Sequence, residues 1–461
     1  MVTPPIPEPA SSPEVPPDEW PAELGLPIRA VTLPHNDPGS HLNWLFVDLN
    51  SYFASVEQEV RPELRGRPVG VVPMMADTTV CIAASYEAKA FGVKTGTVVA
   101  DAKRLCPEIV LVEARHEIYV DYHHRVLEAV ESCLPVSSVL SIDEMACRLI
   151  GRERPLLAAL ELGHKVKARI RDRVGPMLRS SVGLATNRYL AKIASDMEKP
   201  DGLVALPLDI LPEALAQLTL RDLPGIGAKT EKRLNDKGIH TMPQLLALSC
   251  EQAGELWGSV WGERLWHWLR GEDFDMSETE HNKSLSHSHV LSPDMRTAEK
   301  AWAVAHKLLH KAAMRLRAAD LWAGSIGLAI GFSVPRGQNA PVSRFGVPTR
   351  GWHSEIHLSE CQDNQTLIAA LSRLWAKRPS GAEYDQPYFV GVQLNGLVPG
   401  RLHSLNLFDT LENSKSRARL LAAMDELNHK YGTTALAPAA MLTAFKAAPT
   451  RIAFHSIPDL F

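Results

Sequence analysis

The sequence has no two cysteines close enough along the chain to form a metal knuckle. Its six, Cys81, Cys106, Cys133, Cys147, Cys250 and Cys361, lie far apart, with no CxxC pair. That argues against a zinc ribbon and a disulfide framework, and points to a reducing compartment, the cytoplasm. No stretch approaches the roughly 20 apolar residues needed to span a bilayer. The N-terminus has no basic-then-apolar export signal, and no internal repeat is present. Strong net charge is also missing. With 49 Lys and Arg against 53 Asp and Glu, the chain carries −4, the wrong sign for a partner of nucleic acid.

The average conceals a distribution. Residues 1–40 hold six acids (Glu8, Glu14, Asp18, Glu19, Glu23, Asp37) and one base, Arg29, so the remaining residues sum to about +1. Residues 283–399 hold thirteen Lys and Arg against eight Asp and Glu, a local +5 that allows a phosphate-facing surface. At 461 residues, 45% hydrophobic and 22% charged, the chain is long enough for three or four domains. The first forty residues, Pro-rich and acidic, predict a disordered tail. "WLFVDL" (44–49) predicts a central strand and "YFASVEQEV" a helix that closes near Pro62. "GRPVGVVPM" and "RSSVGLA" predict strands. Residues 157–174, "SYEAKAFGV" and "NRYLAKIASDM" predict helices. The mixture up to about residue 210 indicates one α/β unit or α+β domain. Residues 211–275 are helical throughout, 276–290 form a polar linker, 291–398 a second mixed domain, and 399–461 a tail with a helical "SKSRARLLAAMDELNHKY".

"VLSIDEMACRL" (139–149) places Asp143 and Glu144 side by side after an apolar run, and Asp48 ends the strand "WLFVD". Adjacent carboxylates repel, and burial adds a desolvation cost unless something compensates it. A pair of Mg²⁺ ions, hard cations that favour carboxylate oxygens, would turn that repulsion into attraction. Two such ions activate an attacking hydroxyl and stabilise the leaving oxygen in phosphoryl transfer. Spacing alone equally suits a helix-capping Asp48 and an ordinary acidic turn at 143–144.

"FVDLNSYFASVEQ", "SYEAKAFGVKTG", "SIDEM", "SVGLATNRYLAKIASDMEKPDG" and "LPGIGAKTEKRL", in that order over residues 44–400, resemble the Y-family of translesion DNA polymerases, bacterial DinB- or UmuC-like. The resemblance implies an α+β multidomain, right-hand architecture with a palm and fingers, a helix-hairpin-helix thumb and an α/β little-finger domain. It implies Asp48, Asp143 and Glu144 as catalytic metal ligands, with the Leu49 backbone carbonyl as a fourth donor to two Mg²⁺ ions, for which Mn²⁺ is a substitute. Phe53 falls at the steric-gate position, where its ring would exclude a 2′-hydroxyl; the plainer reading is a core aromatic. The amides of Ser51, Tyr52 and Phe53 would face the triphosphate, and Tyr86, Lys89 and Lys199 would hold it. Many members have Thr where this chain has Ala83 and Arg where it has Lys89, and a lysine lacks the bidentate fork. "CIAASYEAKAFGV" and Asn50 are closer to the UmuC-like branch, Tyr86 to the DinB-like one.

In "LPGIGAKTEKRL", Gly225 and Gly227 permit a tight turn whose amides bind a DNA phosphate without reading sequence, with Lys229, Lys232 and Arg233 nearby. Trp257, Trp261, Trp266 and Trp268 recur at near-helical spacing and predict thumb core rather than base-stacking platforms. "SLNLFD" (404–409) resembles a bacterial sliding-clamp-binding peptide, with Leu405, Leu407 and Phe408 as anchors; "IPDLF" at the end is a weaker version. The expected activity is error-prone, DNA-templated DNA synthesis past damaged bases on a primer-template with deoxynucleoside triphosphates, assisted by the clamp and other damage-response proteins. Two alternatives stand beside it: an inactive adaptor bridging the clamp to another polymerase, and a repair nuclease or glycosylase suggested by the helix-hairpin-helix alone.

Overall fold

The computed structural model describes residues 41–77, 79–274, 284–334, 349–403, 411–431 and 435–444. The N-terminal forty residues and the two clamp-like peptides, with Leu405, Leu407 and Phe408, lie outside them. The first region runs β1 (Trp44–Leu49), α1 (Tyr52–Val60), β2 (Val69–Val72), β3 (Ala83–Ala84), α2 (Tyr86–Ala90), α3 (Val99–Leu105), β4 (Val110–Glu113), α4 (His116–Glu131), β5 (Ser138–Val139), β6 (Glu144–Arg148), α5 (Leu156–Arg173), β7 (Ser180–Ala185), α6 (Arg188–Met197) and β8 (Leu203–Leu206). Its main sheet has the order β5-β6-β1-β7-β8, and a smaller sheet has the order β3-β2-β4.

Strand alternation decides which way the acids point. Leu45, Val47 and Leu49 join one core, on the α4–α5 face, while Phe46 joins another on the α6 face. Asp48 shares the parity of Phe46 and so faces α6. On β6, Ala146 belongs to the α6-side core and Met145 to the opposite one, which puts Glu144 on the α6 face as well. α6 lies very close to the sheet because β7 carries Gly183. A Cβ there would sit 1.9 Å from the Ala191 carbonyl oxygen and 2.4 Å from the Ser195 nitrogen.

Helices α7 (Ala228–Asp236), α8 (Met242–Leu246), α9 (Cys250–Trp257) and α10 (Val260–Leu269) follow. Their Leu234, Leu246, Leu256 and Leu265 pack in the same core as Phe46 and Ala146, so the helical segment and the sheet share one interior. Asp273, just beyond α10, ties the two. It accepts from Asn43 Nδ2 at 3.0 Å and Trp44 Nε1 at 3.1 Å, and pairs with Arg148 at 2.8 Å.

The last region comprises β9 (Ser284–Val290), α11 (Ala298–Ala318), β10 (Leu321–Ser333), β11 (Thr349–Cys361), α12 (Asn364–Ala376), β12 (Pro387–Pro399) and α13 (Leu411–Tyr431). Its antiparallel sheet has the order β11-β10-β12-β9, with α11 and α12 covering one face. Two expected boundaries are corrected here. Residues 284–290, read as linker, are an edge strand paired from Ser284↔Asn395 to Val290↔Phe389. Only Leu285 of this strand is buried, so an apolar pattern was never needed. The domain also continues past 398. Asp425 of α13 makes a two-pronged pair with Arg317 of α11 at 2.6 and 2.8 Å, Asn428 is fully buried, and Ala444 enters the core.

Replacing Asp273 with alanine strips three donors of their acceptor. The expected loss is about 2 kcal/mol, seen as a melting temperature several degrees lower. An unchanged calorimetric melt would remove Asp273 from the tie between sheet and helices.

Candidate active site

Asp48 and Glu144 are direct partners in the β1–β6 ladder, and the Leu49 amide donates to the Asp143 carbonyl at 2.9 Å. Asp48, Asp143 and Glu144 are therefore neighbours at one end of two adjacent strands. Asp48 is a strand residue and not a helix cap; the residue before α1 is Ser51. Asp143 has the more hostile environment. Burial, then the charges of Asp48 and Glu144, push its carboxyl up to about 6, against the opposing hydrogen bond from Ser141 Oγ at 2.6 Å. A partly buried acid whose ionisation is disfavoured, beside two more carboxylates, is an arrangement that a hard cation relieves, so the donor set suits Mg²⁺.

What neutralises these charges here is a pair of lysines. Lys192 Nζ lies 2.6 Å from Asp48 Oδ2, 2.8 Å from Glu144 Oε1 and 3.1 Å from Asp196 Oδ2. Lys199 Nζ lies 2.6 Å from Asp48 Oδ1 and 2.8 Å from Asp196 Oδ1. Burial alone would lower Lys192, but Asp48, Asp196 and Glu144 outweigh it and hold the ammonium well above its ordinary range. Among the described residues no three acidic, imidazole or thiol groups converge into a ready-made metal cage. Lys192 and Asp196 were not anticipated. Their signal is the i, i+4 spacing of Lys192 and Asp196 on one face of α6, with Lys199 just beyond the end of that helix.

The predicted triphosphate set gathers beside Asp48. Lys89 stacks over the Tyr86 ring at 4.3 Å. Burial raises the Tyr86 phenol and lowers the Lys89 ammonium, and both feel the charges of Lys199 and Asp48. Ser51 has φ 49° and makes no side-chain cap, and its Oγ is buried without a partner. Phe53 stacks on Tyr119 with centroids 4.4 Å apart and 16° between planes. Beneath it lies a buried network that sequence reasoning missed. Glu57, fully buried, accepts from Arg115 at 3.1 and 2.5 Å and from the Tyr119 hydroxyl at 2.8 Å. The Tyr52 hydroxyl donates to the Tyr119 carbonyl at 2.6 Å.

In the helical region Gly225 has φ +90° and sits under Trp261, as a tight turn requires. Gly227 does not need the same freedom. Its φ is −89°, and a Cβ there would meet nothing within 4 Å. Lys229, Lys232 and Arg233 are exposed, although Lys232 pairs with Asp236 at 2.8 Å. Three of the four tryptophans are core, as expected: Trp268 is buried, and Trp257 and Trp261 pack on the shared interior; Trp266 is half-buried, donates to the Leu248 carbonyl and stacks under Arg270.

Three family profiles match this chain. They are the impB/mucB/samB family over residues 47–196, the DNA polymerase-iota thumb domain over 221–273, and the impB/mucB/samB family C-terminal domain over 282–407. The chain is 34% identical over 405 residues to DNA polymerase IV of Moorella thermoacetica, covering 87% of this chain and 96% of that one. It is 29% identical to DNA polymerase IV 1 of Bacillus subtilis, covering 88% and 94%. Among solved structures, the Y-family DNA polymerase chimera Dbh-Dpo4(243-245)-Dbh superposes with a TM-score of 0.60 at 22% identity, over 77% of this chain and 99% of that chain. This chain belongs to the Y-family DNA polymerases and is a DNA-directed DNA polymerase.

The charge environment of Asp143 gives a sign-specific test. Its carboxyl is raised in the fold, so ionising it costs stability as pH rises from the unfolded value, about 4, through about 6. Asp143→Asn should therefore stabilise the metal-free protein at pH 8, by about 1–3 kcal/mol, and progressively less as pH falls through about 6 towards about 4, where the folded carboxyl is already protonated. Melting curves at the two ends of that range check this, and equal shifts at both would contradict it.

Proposed function

We propose that this polymerase adds deoxynucleotides to a primer 3′-hydroxyl by two-metal-ion transfer, and that it does so opposite damaged template bases. The observation that carries the reading is the ladder register that brings Asp48 beside Glu144, with Asp143 next to them. Asp48, Asp143, Glu144 and the Leu49 carbonyl hold the ions, Mg²⁺ or in substitution Mn²⁺. Such a pair, when bound, supplies Lewis-acid charge to the attacking and leaving oxygens. The chain's own groups do the rest. The uncapped amides at Ser51, Tyr52 and Phe53 receive the triphosphate, and Tyr86, Lys89 and Lys199 neutralise its oxygens as charge grows there. Phe53, braced by Tyr119, lies under the sugar and excludes a 2′-hydroxyl. An inactive adaptor would have no use for a carboxylate raised to about 6 in a buried cluster.

For the rest of the chain we assign 41–210 as palm and fingers, 211–274 as thumb and 284–444 as little finger. The thumb turn at Gly225 and Gly227, with Lys229, meets a DNA phosphate, and the open face of the little-finger sheet lies along the duplex. The peptide around Leu405, Leu407 and Phe408 tethers the enzyme to a sliding clamp, raising local concentration at the primer end; sequence alone supports this part.

Primer extension across undamaged and damaged templates tests the whole. Asp48→Asn and Glu144→Gln should each abolish extension with Mg²⁺, a loss of about a thousandfold or more. Extension at the unmodified rate by either variant would end the two-metal reading. Phe53→Ala should reduce discrimination against ribonucleotides by about tenfold or more; unchanged sugar selectivity would place the gate elsewhere. Alanine at Leu407 and Phe408 should remove stimulation by a clamp while basal synthesis persists, and stimulation equal to that of the unmodified chain would remove the tether.

A further inference from the structure

Both carboxylate oxygens of Asp48 are taken by ammonium groups, Lys192 on Oδ2 and Lys199 on Oδ1, each at 2.6 Å. Lys192 spans further, reaching Glu144 Oε1 at 2.8 Å. Its side chain is only 20% exposed, and the ammonium lies 5.4 Å from the Phe46 ring centroid. α6 cannot relax away from the sheet without opening the contact at Gly183, so Lys192 is delivered to this spot by the packing of its helix. A divalent ion held by Asp48 and Glu144 would compete for the carboxylate oxygens that Lys192 contacts, because two cations do not share that space without strong repulsion. Asp196 lies one turn along the same helix, with Oδ2 3.1 Å from Lys192 Nζ, and offers the ammonium a partner it keeps when the other two are withdrawn.

We infer that Lys192 is the resident counter-ion of the metal-free site: a positioning residue that holds Asp48 and Glu144 in register between turnovers and competes with the divalent ion for their oxygens. Lys192 thereby sets the metal affinity. It yields its place on Asp48 and Glu144 and falls back on Asp196 as the site is loaded. The inference rests on the proposed role of Asp48, Asp143 and Glu144 as metal ligands.

The test uses the full chain without DNA or nucleotide. Mn²⁺ binding is measured by the electron paramagnetic resonance of the free ion, for the unmodified protein and for Lys192→Gln, Lys192→Arg and Asp48→Asn. Lys192→Gln should bind Mn²⁺ roughly tenfold tighter, because the competing charge is gone. It should also melt at a lower temperature without metal and gain more from Mn²⁺ than the unmodified protein does. Lys192→Arg, which keeps the charge, should bind like the unmodified chain. Unchanged or weaker binding by Lys192→Gln, or tightening by Lys192→Arg to the same degree, would overturn the inference. If Asp48→Asn binds Mn²⁺ as the unmodified chain does, the metal assignment itself fails, a result distinguishable from the first. A second measurement needs no variant. Acetylation of Lys192 by an amine-reactive ester, read by mass spectrometry, should rise when Mn²⁺ is added, as the ammonium leaves Asp48; an unchanged or reduced yield would also overturn it.

Discussion

The architecture depends on how closely one helix can approach one sheet. Asp48 and Glu144 stand side by side on β1 and β6, and left alone they would push each other apart. α6 brings the compensating charge, and Gly183 brings α6. With any larger residue on β7, the backbone around Ala191 would have to retreat, and Lys192 with it. The acidic cluster is therefore held by the absence of a side chain on the opposite flank of β1 from Glu144. This is packing acting on electrostatics: the interior is too dense to absorb an extra carbon without moving an element, and the element that moves is the one carrying the counter-charge.

The start of α1 is stiffened by a second compensated charge. Glu57 is fully buried, which is costly for a lone carboxylate. Arg115 meets it through two nitrogens and Tyr119 through its hydroxyl, so its lone pairs are largely satisfied. The same Tyr119 supplies the face on which Phe53 stacks and the carbonyl that fixes Tyr52. Tyr52, Phe53 and the buried Glu57 are thus braced by one tyrosine on α4. In the proposed reading, where Phe53 discriminates against a 2′-hydroxyl, that rigid backing would keep the ring in place.

Much of this was legible in the chain, though unevenly. "WLFVDL" reads as a buried strand because its apolar run is short and bounded, and β1 is that strand. The resemblance singled out Asp48, Asp143 and Glu144, and the fold brings them together. Spacing alone had left them open to a capping or turn reading, because proximity between residues 48 and 143 is a property of sheet order, which one sequence does not display. Lys192 and Asp196 were visible as a polar stripe, but such a stripe ordinarily faces water; here it faces buried carboxylates. Glu57 and Arg115 are separated by 58 positions, with no local pattern linking them. β9 was taken for linker because an edge strand with one buried leucine carries almost no periodic signal.

The charge of the little finger shows why counting residues differs from locating a surface. The +5 over 283–399 suggested a phosphate-facing patch. In the fold, several of those cations are engaged on the helical side of the domain. Arg317 is committed to Asp425, the Gln362 carbonyl and Asn364, and Lys307 is buried with the Ala444 carbonyl in reach. The register places Ser286 and Ser288 of β9, Gly391 and Gln393 of β12 and Gly327 of β10 on the open face of the sheet. Most of these are small and uncharged, and His353, Glu355 and His357 of β11 share the face with them. In the proposed reading that face lies along the duplex, and small side chains let the hydroxyls of Ser286 and Ser288 approach a phosphate backbone closely. Contacts of that kind position DNA without reading bases, which suits an enzyme whose template includes bases that no direct readout would recognise.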